Sequence, residues 1–365
     1  MPGFIKRAEY WIVSAVLTVG LSFPASANDT TADHVDISSV IETAIVPAFH
    51  GFESSASEMQ DAMSALCAQP SPSALQSSRA SFNTLVGSWG QVEFIRLGPL
   101  AAENRLERIL FWPDRRGRGL KQVQNIIRTS DATATSVQML GKKSVAVQGL
   151  LALEFALFGT GADSLSSSDN SFRCGYALAI SENLKQLSSE LVGLWSDQNR
   201  IRQLWLKPGP DNPLFRNNQE QLAALIKMIR DGLEIMVAQR LTPFLREDQA
   251  SAKPMSALFW RSENTIRSLQ ANMIGLQNLV EASRFDRTLD NNNKRVVKSL
   301  GFESKNALRA LAASDLPTQK IVEDADVFGR LIYVRIVVLG MFDILENRLP
   351  AMFGLTSGFS SLDGD

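Results

Sequence analysis

Glu154 is the residue whose position most constrains the chemistry of this chain. Val147, Leu151, Glu154 and Phe158 follow one another at spacings of four, three and four, so a carboxylate stands on a helical stripe where a core side chain is expected. Burying an unpaired carboxylate is costly, so Glu154 must be protonated, hydrogen-bonded, paired with an arginine or bound to a cation. A structural Glu–Arg pair inside a helical bundle meets that requirement, and so does a carboxyl on the wall of a wet cleft. A second segment can supply partners: Arg96-Leu97-Gly98-Pro99, then Glu103-Asn104-Arg105-Leu106-Glu107-Arg108, then Phe111-Trp112-Pro113-Asp114. Charged groups alternate here with large apolar anchors, which lets a connecting segment place several charges around one cavity while Phe111 and Trp112 pin it to the core. A solvated connecting loop is the plainer reading of the same residues.

Other chemistries lack their parts. There is no His-Glu-x-x-His, no Gly-x-Ser-x-Gly elbow, no P-loop and no dinucleotide fingerprint leading into a helix. Of the two histidines, His34 falls near the start of the chain, and His50 lies on the opposite side of its helix from Ile45, Phe52 and Met59. Two histidines and two cysteines are too few for most self-contained zinc, haem or thiol-relay sites. The basic run Arg115-Arg116-Gly117-Arg118-Gly119-Leu120-Lys121 has no interleaved aromatics and reads as cover for a helix start. With 37 Lys+Arg against 38 Asp+Glu, the net charge of −1 gives no broad reason to bind nucleic acid.

The elements that must hold these groups are helices. Ile41, Ile45, Ala48, Phe52, Met59, Met63 and Leu66 recur at helical spacing, as do Leu75, Phe82, Val86, Trp89 and Val92 after the turn Gln69-Pro70-Ser71-Pro72. Further stripes run through Leu178, Leu184, Leu187, Leu191 and Leu194, through Leu222, Ile226, Ile229, Leu233 and Val237, and through Ile266, Leu269, Met273, Leu276 and Leu279. No stretch alternates as a strand does, so the expected class is all-α, two helical-bundle domains with a cleft between them. Length allows about two domains at the usual rough 100–200 residues each. Lys207-Pro208-Gly209-Pro210-Asp211-Asn212-Pro213 is the expected linker, dividing 28–206 from 214–365. The Gly-, Ser- and Asp-rich stretch Thr160–Ser171 reads as an excursion within the first domain. The apolar run Leu331–Phe342 is too short to cross a bilayer, is interrupted by Arg335, and reads as a core helix. Trp89 with Arg96, and Trp260 with Arg267, share a spacing of seven that would fit an internal duplication or chance.

Lys6 and Arg7 precede an apolar stretch from Tyr10 to Phe23 and then Ala25-Ser26-Ala27, the small-x-small pattern of a signal peptidase site. Residues 1–27 are therefore expected to be a cleaved signal peptide, with an uncleaved anchor as the alternative. Export to an oxidising compartment favours a Cys67–Cys174 disulfide over two buried free thiols.

Taken together, Trp89 with Arg96-Leu97-Gly98-Pro99, Asn104-Arg105 through Phe111-Trp112-Pro113-Asp114, Gly149-Leu150-Leu151-Ala152-Leu153-Glu154-Phe155, and the tail Gly358-Phe359-Ser360-Ser361-Leu362-Asp363-Gly364-Asp365 resemble the imelysin-like proteins. That group includes imelysin peptidases and periplasmic or outer-membrane-associated iron-uptake proteins. Its hallmark is Gly-x-His-x-x-Glu; Gly149 and Glu154 match, and Leu151 stands in the histidine position, where it has no lone pair to give a metal. The resemblance implies two helical bundles with a site between them, Glu154 at its centre, Arg96 as partner, and Asp363 or Asp365 as nearby tail carboxylates; Trp112 completes the expected ligand-binding set.

The function expected on these grounds is that of a periplasmic, non-catalytic protein of iron uptake that binds a ligand or an envelope partner in the cleft, and is not an integral membrane protein. If Glu154 pairs with Arg96, a polar organic ligand or a peptide end suits the cleft better than a hard cation. The alternative is a metal-binding protein or metallopeptidase in which Glu154 joins Glu93, Glu103, Glu107 or Asp114 around iron or another oxygen-loving cation. An envelope scaffold is a third reading.

Overall fold

The computed structural model describes residues 35–167, 171–287 and 289–355. The expected signal peptide, His34, Asp363 and Asp365 lie outside the described residues. Among those described there is no strand, and no helix is long and apolar enough to cross a membrane.

The first helix, α1, covers 37–68 and turns more widely over Ile41–Ile45. Its buried face is the stripe of Phe49, Phe52, Ala56, Met59, Met63 and Leu66. Pro70 and Pro72 cannot continue the helix, and Ser71 starts the next by accepting from the Ala74 N–H at 3.1 Å. That next helix, α2 (Pro72–Gly90), buries Leu75, Phe82, Leu85, Val86 and Trp89. The other long or central helices are α3 (Arg118–Thr129), α4 (Leu150–Phe158), α5 (Ser171–Leu194), α6 (Asn218–Ile235), α7 (Thr265–Ser283), α8 (Asn291–Ala312) and α9 (Ala325–Asp343). The run 115–121 leads into α3, as its basic, glycine-broken composition suggests.

Helix α1 packs on α2 and α5, and Cys67 at its end is joined to Cys174 near the start of α5, with Cα atoms 5.6 Å apart. Helices α6 to α9 pack on one another in the second half. The halves meet where α2 lies on α7. At this crossing a Cβ on Gly275 would stand 2.5 Å from the Gln91 carbonyl oxygen, so only glycine permits the approach. Buried apolar side chains form one continuous cluster from Ile37 to Phe353.

The 207–213 segment is non-helical, and it braces itself. Asn212 donates to the Leu204 and Lys207 carbonyls at 2.7 and 2.8 Å and accepts from the Leu214 N–H at 2.7 Å. Phe215 sits edge-on to Trp205 with ring centres 4.8 Å apart. In α9, Leu331, Val334, Val337, Val338 and Met341 are buried while Tyr333, Ile336 and Leu339 are exposed, so only one face of the apolar run belongs to the core. The two Trp–Arg pairs take unlike places: Trp89 is buried against Phe52, whereas Trp260 lines a cavity.

Candidate functional site

Helix α4 can run through the centre of the molecule because it is apolar on nearly every side: Leu150, Ala152, Leu153, Phe155, Ala156 and Leu157 are buried along with Glu154. Its entry requires Gly149. A Cβ there would lie 2.4 Å from the Ile109 carbonyl oxygen and 2.5 Å from that of Arg108, both backbone atoms that cannot step aside. The close approach sets α4 beside the 105–114 segment, and a cavity of about 450 Å³ opens next to it.

The walls come from both sides of the 207–213 segment. One side supplies Phe111, Trp112, Asp114, Arg115, Leu120, Leu151 and Glu154; the other supplies Gln239, Pro243, Arg246, Met255, Phe259, Trp260 and Arg261. Trp112 ties the two, its indole N–H donating to the Gln239 carbonyl at 3.0 Å.

Glu154 is 1% exposed and reaches this cavity. Its Oε1 accepts from the Ser262 backbone N–H at 3.0 Å and from the Ser262 hydroxyl at 2.8 Å. Burial pushes the carboxyl above its ordinary pKa, and the two Ser262 bonds and the Arg261 charge only partly oppose this. Ser262 is delivered by the turn that precedes α7. Phe259 and Glu263 take left-handed backbone, φ 57° and 59°, a conformation that costs a non-glycine residue on the order of 1–3 kcal/mol. The turn is closed by the Asn264 N–H donating to the Phe259 carbonyl at 3.0 Å. It points Trp260 and Arg261 at the cavity, with the Arg261 guanidinium 4.4 Å above the Trp260 ring. Burial lowers the Arg261 pKa, with Glu154 acting in the opposite sense.

The sequence-derived partner set is only partly brought together. Glu154, Leu151, Trp112 and Asp114 share the cavity wall; Arg96 does not line it. After α2 ends at Gly90, the turn through buried Val92, Phe94 and Ile95 directs the Arg96 side chain back on itself, so that its Nε donates to the Glu93 carbonyl at 3.2 Å. Burial lowers the Arg96 pKa, and Glu93 raises it in part. Ser262 and Arg261 occupy the place expected for Arg96. One signal for them stood in the chain: Leu110-Phe111-Trp112 and Leu258-Phe259-Trp260 are the same tripeptide, and both reach the cavity.

The carboxylates proposed to replace the motif histidine are committed elsewhere. Glu93 is paired with Arg240 at 2.8 Å and accepts from Asn272 at 2.8 Å. Glu103 pairs with Arg105, and Glu107 is exposed. Asp114 accepts the Arg118 and Leu120 N–H groups at 2.8 and 3.1 Å, closing the start of α3. Among the described residues, no group of three His, Cys, Asp or Glu side chains is placed to hold a metal ion. Leu151 offers no donor and one oxygen of Glu154 is already occupied, so the donor set does not fit a resident metal.

Comparisons with known proteins agree with this architecture. An imelysin-like protein from Psychrobacter arcticum 273-4 superposes with a TM-score of 0.70 at 19% identity, covering 88% of this chain and 96% of that one. A putative iron-regulated protein A precursor from Parabacteroides distasonis ATCC 8503 superposes with a TM-score of 0.64 at 13% identity, covering 87% and 94%. No curated protein sequence is significantly similar. The sequence profile of the imelysin family matches residues 45–331, well over half the length, and the chain belongs to the imelysin family.

Proposed function

We propose that this chain is an exported binding protein of two helical domains, divided at 207–213, that takes a ligand into the cavity beside α4 in the service of iron uptake, without catalysis. One observation carries the reading: a cavity of about 450 Å³, within the usual small-molecule range of roughly 300–1,000 Å³, has a buried carboxyl on its wall and aromatic side chains from both halves of the chain around it. Leu151 beside Glu154 supports binding over metal-assisted hydrolysis, because the family's usual second metal donor is replaced by a hydrocarbon. The iron connection draws on family membership and on the Parabacteroides neighbour, which is named as iron-regulated. Export rests on the Lys6-Arg7, apolar stretch and Ala25-Ser26-Ala27 pattern.

The test is a titration of native protein with free iron, iron chelates and short peptides, followed by tryptophan fluorescence, since Trp112 and Trp260 both line the cavity. Saturable binding that is lost in Leu151→Trp, which fills the cavity, is the expected result. Binding of none of them, or binding that Leu151→Trp leaves intact, would overturn the proposal. Peptide cleavage abolished by Glu154→Gln would replace it with a hydrolytic function. Cell fractionation tests export separately, with a mature N-terminus at Asn28 expected.

A further inference from the structure

Charge in the cavity is unevenly satisfied. Both carboxylates on its wall are already engaged: Asp114 by the Arg118 and Leu120 N–H groups, Glu154 by the N–H and hydroxyl of Ser262. Three arginines line the same cavity, Arg115, Arg246 and Arg261. Among the described residues, none of the three guanidinium groups donates a hydrogen bond to a protein acceptor or stands in an ion pair. Buried arginines elsewhere are treated differently: Arg105 is paired with Glu190, Arg202 with Glu42 and Asp197, Arg230 with Asp231 and Glu346, and Arg240 with Glu93. Arg261 is the telling case. It is half-buried, stands over the Trp260 ring with its Cζ 4.4 Å from the ring centre and 5.8 Å from that of Phe155, and has given up part of its water without gaining an acceptor among the described residues.

We infer that the cavity takes a planar organic carboxylate, its ring system lodged among Trp112, Phe259 and Trp260 and its carboxylate held by Arg261, with Arg115 and Arg246 at the rim. The inference rests on the proposed reading of the cavity as a ligand site and adds the sign of the ligand's charge. A guanidinium fixed on an aromatic face presents its planar fork edge-on, which matches a carboxylate through two parallel hydrogen bonds. Trp112, Phe259 and Trp260 give the cavity aromatic surface that suits a flat body. Glu154 does not compete for Arg261 through a hydrogen bond or ion pair among the described residues: its Oε1 accepts from the N–H and hydroxyl of Ser262, and burial moves it toward its neutral form. Arg115 and Arg246 are exposed, so their part is attraction from the mouth, which salt screens.

The experiment compares three probes of one shape, 2-naphthoate, 2-naphthol and 2-naphthylmethylammonium, titrated into the full native chain at neutral pH. Naphthoate is expected to bind about tenfold or more tighter than the other two, and Arg261→Gln to weaken naphthoate by about tenfold while leaving naphthol within about twofold. Should Arg261→Gln not fold, Arg115→Gln with Arg246→Gln is the second variant, and raised salt and that variant are then expected to weaken naphthoate alone. Ammonium binding equal to or tighter than carboxylate, at a site blocked by Leu151→Trp, would overturn the inference and leave the ligand site standing. Binding of none of the probes, nor of any iron species or peptide, would remove both.

Discussion

Leu110-Phe111-Trp112 and Leu258-Phe259-Trp260 place the same aromatic pair on one cavity from opposite halves of the chain, yet the two segments do different things. In each the leucine is buried and the tryptophan reaches the wall. The first segment continues with Pro113-Asp114, and the carboxylate turns to the N-terminus of α3, where it is neutralised by N–H groups. The second continues with Arg261-Ser262, and the guanidinium is left facing the cavity while the serine holds Glu154. The first is a structural corner and the second carries the polar chemistry. The difference lies in the two residues after each tripeptide and in the backbone beneath it, left-handed at Phe259.

The sharpest way to break this comparison is through the phenylalanines. Phe259 is 1% exposed and packs edge-on against Phe82, whereas Phe111 is half-buried at the wall. Phe259→Ala should cost about 3–5 kcal/mol in urea unfolding, and Phe111→Ala about 1–2 kcal/mol. Equal losses would mean that the two segments are mechanically equivalent.

Glu154 gives the next largest effect, through pH. Its folded pKa is raised above the ordinary 4.5, so its protonated form contributes stability fully below about pH 4.5, and that contribution is lost as pH rises through the folded value. Across that window the wild type should lose stability at up to about 1.4 kcal/mol per pH unit from this group. Glu154→Gln keeps an oxygen for Ser262 and should remove that slope, as denaturant midpoints measured from pH 4 to 8 would reveal. A parallel slope in the variant would show that Glu154 is not the buried acid responsible.

Asp114→Ala removes an acceptor from two N–H groups at the start of α3 and should cost roughly 1 kcal/mol, without changing the naphthoate-to-naphthol preference. A changed preference would assign Asp114 to the ligand. The smallest effect on folding belongs to Arg261→Gln, which breaks no hydrogen bond among the described residues and gives up only the contacts over Trp260 and Phe155, so stability should fall by no more than about 1 kcal/mol and the main consequence falls on binding. A thermal shift large enough to imply more would make Arg261 a structural residue.

The helical stripes were legible because each is written locally. Phe52 to Leu66 in α1 and Leu222 to Leu233 in α6 bury the residues that their spacing marks, although at the position of Ala48 it is the neighbouring Phe49 that is buried. Glu154 was legible only in part: Val147 falls in a separate turn before Gly149, and Leu151 and Phe158 are half-buried, so the carboxylate is buried because α4 is apolar on nearly every side and not because it belongs to a core stripe. Its partner was not. Ser262 is 108 positions away, and nothing in the spacing of Arg96 reveals that the turn after α2 sends its side chain to Glu93 instead. The repeated tripeptide could have pointed to the second wall, since two identical aromatic pairs each precede a helix. The exposed face of α9, Tyr333, Ile336 and Leu339, was hidden because an apolar run carries no mark of which side a neighbour will cover.

By itself, then, the sequence determined that this protein is helical, that it carries the imelysin motif with Leu151 where a histidine is usual, and that one acid must be accommodated inside. These properties come from a 3.6-residue period and from residue identity, which need no distant contact. Tertiary structure alone decided that Ser262 satisfies Glu154, that Trp112 is tied to Gln239, and that Arg261 meets no acceptor among the described residues on the cavity wall. Those facts depend on two left-handed residues in a turn and on backbones meeting at Gly149 and Gly275. Close packing between segments far apart in the chain selects such a geometry, and no local periodicity encodes it.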